Sequence, residues 1–216
     1  LMLEMRNITP EEFLPWLSAE SRAHGNRLNH DPEVLRPTFD LDRSIAVFEE
    51  GQIVGGAHSH RVSISTPGSS AIVAGVSNVA VQPTHRRRGV MTQMMQHQLQ
   101  DVHDREEPLA ALFASESLIY GRFGYGVGSL YEQWSIPREH NSFAQPSNDN
   151  GHIAFVHPLD IPTILPNISK QSTADRPGVF QKPMHQWQQE SQAPEHLEGG
   201  SGGLFYACYQ NDSIPE

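Results

Sequence analysis

The stretch VAVQPTHRRRGVMT, residues 79–92, joins the end of an apolar segment, a basic loop and the start of an amphipathic segment. Residues 73–81 are rich in small and β-branched side chains, which favours a strand, and Pro83 ends it. Residues 90–104 are typical of a helix, because their apolar positions fall on one face: 90, 91, 94, 95, 99 and 102. The continuous apolar run at 109–114 predicts a buried strand. Strand, helix and strand together predict a βαβ unit and therefore an α/β fold.

The basic loop of this stretch predicts an anion site. Backbone N–H groups at the start of a helix point towards whatever lies above it, and the helix dipole adds positive potential. Arg86, Arg87 and Arg88 add three positive charges just before Gly89. The glycine is not followed by the Lys-Ser/Thr pair of a P-loop, and the stretch is not a GxGxxG dinucleotide fingerprint. We therefore expect a site of diphosphate size, although a solvated basic loop is the plainer alternative.

The rest of the chain predicts a complete first domain and part of a second. Thr9 and Pro10 begin a helix on which Trp16 is expected to pack. An antiparallel hairpin of 44–48 and 53–65 precedes the βαβ unit, and 129–136 is predicted as a closing strand. The expected organisation is a domain at 1–140, a Pro/Asn/Ser-rich linker at 141–150 and a partial second domain at 151–216. In that last segment we predict strands at 152–156 and 204–209 and helices around 161–169 and 184–191.

Composition and charge exclude several classes of function. With 15 Lys and Arg against 25 Asp and Glu, the formal net charge is -10, which argues against nucleic acid and suits cationic small molecules. Cys208 is the only cysteine, so neither an intramolecular disulfide nor a cysteine-based zinc site is expected. No apolar run is long enough for a membrane span, and no secretory signal is apparent, so we expect a cytoplasmic protein. The chain starts at Leu1 rather than Met, which suggests a fragment of a longer protein.

Two histidines invite a metal hypothesis. His58 and His60 lie two residues apart on a predicted strand, so their side chains share a face. Two imidazoles can hold a metal ion, but the sequence places no third ligand near them. We therefore expect no metal and predict exposed strand histidines, with a place at the border of a substrate pocket as the alternative.

A second motif, ASESLIYGRFGYG at residues 114–126, makes the first one more specific. The loop alone resembles the acyl-CoA motif of the GNAT acetyltransferases, Arg/Gln-x-x-Gly-x-Gly/Ala. Arg86 and Gly89 match it, whereas Met91 replaces the last small residue. Together with PTHRRRG at 83–89, the second motif resembles the Eis (enhanced intracellular survival) family of these acetyltransferases. The resemblance implies a mixed central sheet flanked by helices, the start of a second GNAT-like domain and a homo-oligomer, usually a hexamer.

The same resemblance implies acetyl-CoA as co-substrate and assigns residues to it. Val79, Ala80 and Val81 would present main-chain groups to the pantetheine arm. The pyrophosphate would lie on the loop and helix start, at Arg86, Arg87, Arg88, Gly89, Val90, Met91 and Thr92. Ser115 and Glu116 match a further CoA-contacting pair, and Tyr120 falls on the proton donor of the family. The general base of the family is a C-terminal carboxylate of a chain about twice this length, and that role is not transferred to Glu216.

Elementary chemistry supports these roles. An amine with a pKa of about 10.4 must be neutral to attack a thioester, so a general base or a water path to one is needed. Backbone N–H groups near Val79 are suited to the developing oxyanion. The departing thiolate gains from a proton, which Tyr120 could donate, although without the family match Tyr120 reads as an ordinary buried aromatic.

We therefore predict direct attack in a ternary complex on a primary amine, either of an aminoglycoside-like or other polyamine or of a lysine side chain. The alternative is an acyl-CoA-binding or sensing module that lacks turnover.

Overall fold

The computed structural model describes residues 3–28, 32–130, 132–142, 145, 150–173, 176–192 and 205–211. The chain divides into two compact units, Leu1–Gly126 and Val127–Glu216. The sequence places the domain boundary near residue 140, and the interpretation of 151–216 as the start of a second domain stays a prediction. Among the helices of the described ranges, none has the length and apolar character that a membrane crossing requires.

The first unit contains a mixed sheet flanked by helices, as predicted. Its regular elements are β1 (Glu4–Asn7), α1 (Phe13–Ala23), α2 (Pro32–Leu35), β2 (Ser44–Glu49), β3 (Gln52–Thr66), β4 (Ser69–Val81), α3 (Val90–Asp104) and β5 (Ala110–Leu112). Short 3-10 turns at Pro10–Glu12, Pro83–His85, Ser117–Ile119 and Gly121–Phe123 connect parts of this unit. The described strands of this unit pair in the order β1-β2-β3-β4-β5, antiparallel except for the parallel pair β4 and β5.

The predicted helix start and the hairpin are confirmed, while strand β1 was not expected from the sequence. The Thr9 hydroxyl and the Glu12 carboxylate form a capping box, in which the Thr9 N–H donates to Glu12 at 2.9 Å. Strand β1 is only four residues long, and its EMRN sequence does not show the apolar alternation of a half-buried strand. It forms because it pairs with β2 along its whole length.

Both faces of the sheet are covered. Alternate residues of β2 point to opposite faces, so Ala46 and Phe48 pack with α1, whereas Ile45 and Val47 pack with α3. On the α1 face the Trp16 indole N–H donates to the Ile45 carbonyl at 2.9 Å, which confirms the expected packing role of this residue. Trp16 also lies over β3, where a Cβ atom on Gly56 would come within 2.4 Å of the indole nitrogen. Only glycine fits at that contact.

A β-bulge interrupts the pairing of β3 and β4 near the carboxyl end of β4. Gly56 pairs with Ala80 and His58 pairs with Ser77, so Ala57 lies opposite both Asn78 and Val79. Asn78 has a φ of 53°, a left-handed conformation that asparagine tolerates better than most residues. A bulge leaves a residue out of the hydrogen-bond ladder and changes the direction of the strand. It therefore alters the backbone directly before residues 79–92, which contain the end of β4, the basic loop and the start of α3.

The closing strand predicted at 129–136 is wrong. Residues 129, 130 and 132–136 are described and do not form a strand. Leu130, Trp134 and Ile136 are 90%, 77% and 64% exposed. The apolar content of the segment indicated that it could pair, but a strand forms only where its backbone groups join the ladder of another strand, and residues 129, 130 and 132–136 join none.

The second unit contains the elements predicted from the sequence, with small shifts of their bounds. The elements are β6 (His152–Phe155), α4 (Ile161–Thr173), β7 (Phe180–Gln181), α5 (Met184–Gln192) and β8 (Ala207–Gln210). Strand β6 pairs antiparallel with β8, and Ile153 lies opposite Tyr209. Residue 204, the predicted start of the last strand, lies outside the described residues, as does most of 143–149 in the predicted linker.

Candidate active site

A cleft of about 800 Å³ opens in the first unit where β4 ends and α3 begins. The loop between them turns sharply: Arg87 has a φ of 61°, and Gly89, with a φ of 81°, is the N-cap of α3. Gly89 is suited to this position because it adopts positive φ without steric cost. The N-terminus of α3, which carries unpaired N–H groups and the positive end of the helix dipole, thus faces the cleft.

Nearly all the residues predicted to bind acetyl-CoA line this one cleft. The cleft combines the strand end, the loop, the start of α3 and the segment after β5, although these parts span more than forty residues of sequence. Arg88 does not line it. The predicted residues found in its wall are Val79, Ala80, Val81, Arg86, Arg87, Gly89, Val90, Met91, Thr92, Ser115, Glu116 and Tyr120.

Arg86 connects the loop to the end of α1. Its guanidinium donates to the Ala23 carbonyl at 3.0 Å and to the Val81 carbonyl at 3.3 Å. A cation at the C-terminus of a helix is favourable for the unpaired carbonyls there. Arg87 makes no hydrogen bond within the described part of the chain, so among the three loop arginines it is the one whose donors remain available for an anion.

Arg88 points to a carboxylate instead of the cleft. Its two terminal nitrogens donate to the two oxygens of Glu49, at 3.2 and 2.5 Å. His85 Nε2 lies 2.7 Å from the same carboxylate. Hydrogen bonds from Arg88 and then from His85 hold the pKa of Glu49 below its usual range. This bidentate pairing places Arg88 as a support for the loop, because Glu49 lies at the end of β2, far away in sequence.

Tyr120 stands between the two 3-10 turns at Ser117–Ile119 and Gly121–Phe123 and faces the cleft. Its ring contacts that of Tyr125 edge to face, with centroids 5.8 Å apart. Burial, and to a smaller extent the negative charge of Glu116, raise the pKa of Tyr120. The phenol therefore stays protonated at neutral pH, which is the state a proton donor needs.

Other residues of the cleft wall were not singled out by the sequence. Arg122 Nη2 lies 3.7 Å from the sulfur of Met91, so the turn after β5 contacts the start of α3. His24 and Ala23 come from the end of α1, and no local pattern indicated their place. The remaining wall residues that the sequence did not suggest are His85, Leu118 and Ile119.

The sequence predicted that the two strand histidines are exposed, and the structure shows that this prediction is wrong. His58 is fully buried on the α1 face, and His60 is half-buried beside it. The prediction was wrong because α1 and Phe39 cover this face of β3, which the sequence of the strand does not reveal. No group of three His, Cys, Asp or Glu side chains arranged to hold a metal occurs within the described ranges.

A comparison with protein families identifies the first unit. The sequence profile of the acetyltransferase (GNAT) domain matches residues 4–128, which include both motifs and the whole cleft.

Individual relatives agree with this match. An uncharacterized N-acetyltransferase of Streptomyces coelicolor is 35% identical over 188 residues, covering 83% of this chain and 46% of that protein. The N-acetyltransferase Eis of Mycobacterium tuberculosis is 30% identical over 173 residues, covering 74% of this chain and 43% of that protein. The crystal structure of Eis1 from Mycobacterium abscessus superposes with a TM-score of 0.68 at 29% identity, covering 88% of this chain and 47% of that protein. The chain thus spans about half the length of these relatives.

Proposed function

Because the chain belongs to the GNAT acetyltransferase family, we propose that it transfers an acetyl group from acetyl-CoA to a primary amine. The observation that supports this most is the cleft, which joins Tyr120 to the N-terminus of α3 and to Arg87. Those features are suited to a ligand that carries a thioester at one end and a diphosphate further along its length. Acetyl-CoA would supply the activated acyl group as that thioester.

The diphosphate would bind at the loop and the start of α3. Arg87 has its guanidinium available there, and the N-terminus of α3 adds N–H donors that no intrahelical carbonyl accepts. Arg88 and His85 act indirectly, by holding the loop against Glu49. In this proposal Arg86 serves as the link to α1, since its donors bind the Ala23 and Val81 carbonyls.

The reacting end would lie near the bulge at Asn78. Backbone N–H groups that leave the ladder at a bulge can donate to the charge that develops on a carbonyl oxygen. The nitrogen of the amine forms the new C–N bond and the C–S bond breaks, while the amine loses its proton to a general base or to a water path to one, from which the Tyr120 phenolate can regain a proton. Tyr120 would donate its hydroxyl proton to the departing sulfur. No covalent enzyme intermediate is needed, because both substrates can be bound together.

The acceptor would be a cationic amine. The formal net charge of -10 favours polycations over neutral or acidic molecules. Aminoglycoside-like molecules, other polyamines and lysine side chains all fit this description.

Mass spectrometry of tobramycin, a polyamine aminoglycoside, after incubation with acetyl-CoA and the protein tests the proposal. We expect one or more added acetyl masses. Unmodified tobramycin with acetyl-CoA binding still measurable by calorimetry, repeated with spermidine and a lysine peptide, would overturn catalysis and favour an acyl-CoA-sensing module. Absence of acetyl-CoA binding would overturn the proposal as a whole.

A further inference from the structure

A chain of polar groups is buried on the α1 face of the sheet, outside the residues that line the cleft. The Ser44 hydroxyl lies 2.8 Å from the Asp40 carbonyl and 2.8 Å from His58 Nδ1. His58 Nε2 lies 3.2 Å from His60 Nδ1. Ser44 and His58 are fully buried, and the ring of Phe39 covers both histidines at centroid distances of 4.8 and 5.6 Å. The geometry of the chain is therefore fixed by packing.

The proton positions along this chain follow from its first contact. A carbonyl has no proton to give, so the hydroxyl proton of Ser44 must lie on the contact with Asp40. The Ser44 oxygen then accepts from His58, which places the His58 proton on Nδ1. A neutral His58 therefore offers a lone pair at Nε2, to which His60 must donate from its own Nδ1. A neutral His60 consequently presents a lone pair at Nε2.

Burial keeps both histidines neutral. It is the largest cause lowering the pKa of His58 to about 3, with smaller contributions from the charges of His60 and Arg43. Burial is also the largest cause that lowers the pKa of His60. The negative charge of Asp40 raises this pKa, and the positive charge of Arg43 lowers it. A proton relay through His58 would create a buried cation, so the chain orients His60 rather than conducting protons.

At the His60 end of this hydrogen-bonded network, two acceptor groups have no donor. Within the described residues, neither His60 Nε2 nor the Asp40 carboxylate has a hydrogen-bond donor, and Asp40 is close enough for its charge to act on His60. Arg43 is the nearby cation, but it donates to the Ser59 carbonyl at 2.8 Å and forms a buried ion pair with Glu107 at 2.7 Å. Asp40 is exposed and His60 is half-buried, so a ligand in solution can reach both acceptors, and a positively charged donor is favoured there.

The position of His60 relates it to the proposed reaction. His60 pairs with Gly75 on β4, three residues before Asn78. Three residues of strand correspond to about 10 Å. The bulge thus lies about 10 Å along the strand from the partner of His60, a distance that two amino groups of an extended polyamine can span.

We propose that His60 Nε2 accepts a hydrogen bond from a second ammonium group of a polyamine acceptor, whose other amine lies near the bulge at Asn78. His60 is then a specificity-determining residue, and Ser44 and His58 are positioning residues that fix its tautomer. This inference rests on the proposed function for its kinetic consequences, but not for its structural ones.

The structural part is tested by nitrogen NMR of the protein labelled with ¹⁵N-histidine, using His58→Gln and His60→Gln for assignment. We expect both imidazoles to carry their proton on Nδ1 at neutral pH, and tobramycin or spermidine to shift the His60 Nε2 resonance. In Ser44→Ala the fixed tautomer of His58 should be lost. A proton on His60 Nε2, or no change at His60 with saturating polyamine, would overturn the inference.

The kinetic part compares a polyamine with a monoamine. His60→Leu should raise KM for tobramycin roughly 10-fold, because a hydrogen bond to a charged group is lost. The kcat, the KM for hexylamine and the Kd for acetyl-CoA should stay unchanged, and His60→Gln should recover part of the loss. Equal losses for both amines would overturn the inference. If the wild-type protein acetylates neither amine, the proposed function fails, and the NMR titration still decides whether His60 binds an ammonium group.

Discussion

At the scale of single residues, Tyr120 carries the sharpest prediction. Tyr120 lines the cleft, and burial raises the pKa of a phenol that is protonated at neutral pH even at its ordinary value. Tyr120→Phe removes the proton and preserves the ring. We expect kcat to fall about 100-fold or more, as for the loss of a general acid, with the Kd for acetyl-CoA unchanged. Steady-state kinetics and calorimetry measure the two quantities.

Tyr125 provides a matched control for that variant. Its ring packs against Tyr120, but its buried hydroxyl makes no hydrogen bond with the described residues. Tyr125→Phe should therefore leave kcat close to the wild-type value. If Tyr125→Phe lowered kcat as much as Tyr120→Phe, the loss of activity would come from disturbing the packed pair of rings and not from losing the Tyr120 proton.

At the scale of elements, the packing of α1 on β3 depends on Gly56. A Cβ atom there would lie 2.4 Å from the Trp16 indole nitrogen, whose hydrogen bond to Ile45 fixes its position. Gly56→Ala should therefore lower the free energy of unfolding by about 1–3 kcal/mol, as overpacking of a core does. Urea unfolding followed by fluorescence measures this. Gly126→Ala is the control, since nothing lies within 4 Å of its Cβ position; equal destabilisation by both variants would contradict the steric argument.

At the scale of the whole molecule, the buried His58 makes stability depend on pH. In the unfolded chain a histidine gains a proton near pH 6.5, whereas burial lowers the pKa of His58 to about 3. Between these values the unfolded state binds more protons, so stability rises with pH, by up to about 1.4 kcal/mol per pH unit from this residue. Urea unfolding between about pH 5 and 7.5 should show this slope.

Two variants separate His58 from the general effect of acid on the molecule. His58→Gln should flatten the pH slope, because the titrating group is gone. His97→Gln, on the exposed face of α3, should leave the slope as in the wild type. If His58→Gln retains the full slope, other groups account for it.

The sequence alone determined the βαβ unit, the long hairpin and the family. These depend on local information: the period of apolar residues, the proline and glycine at each end of the loop, and two motifs with fixed spacing. The resemblance to Eis-like GNAT acetyltransferases, identified from residues 83–89 and 114–126, is confirmed by the family match and the relatives. Most of the residues predicted to bind acetyl-CoA line one cleft, because the two motifs that contain them fix the order of the surrounding elements. The roles of these residues stay predictions.

The directions of individual polar side chains depend on contacts between residues that are distant in sequence. Arg88 binds Glu49 instead of lining the cleft, and His58 is buried by Phe39 and Trp16 instead of being exposed. Likewise, residues 132–136 carry apolar side chains but form no strand. In each case the outcome depends on a partner distant in sequence or on its absence, and burial and pairing energies come from such contacts rather than from local pattern.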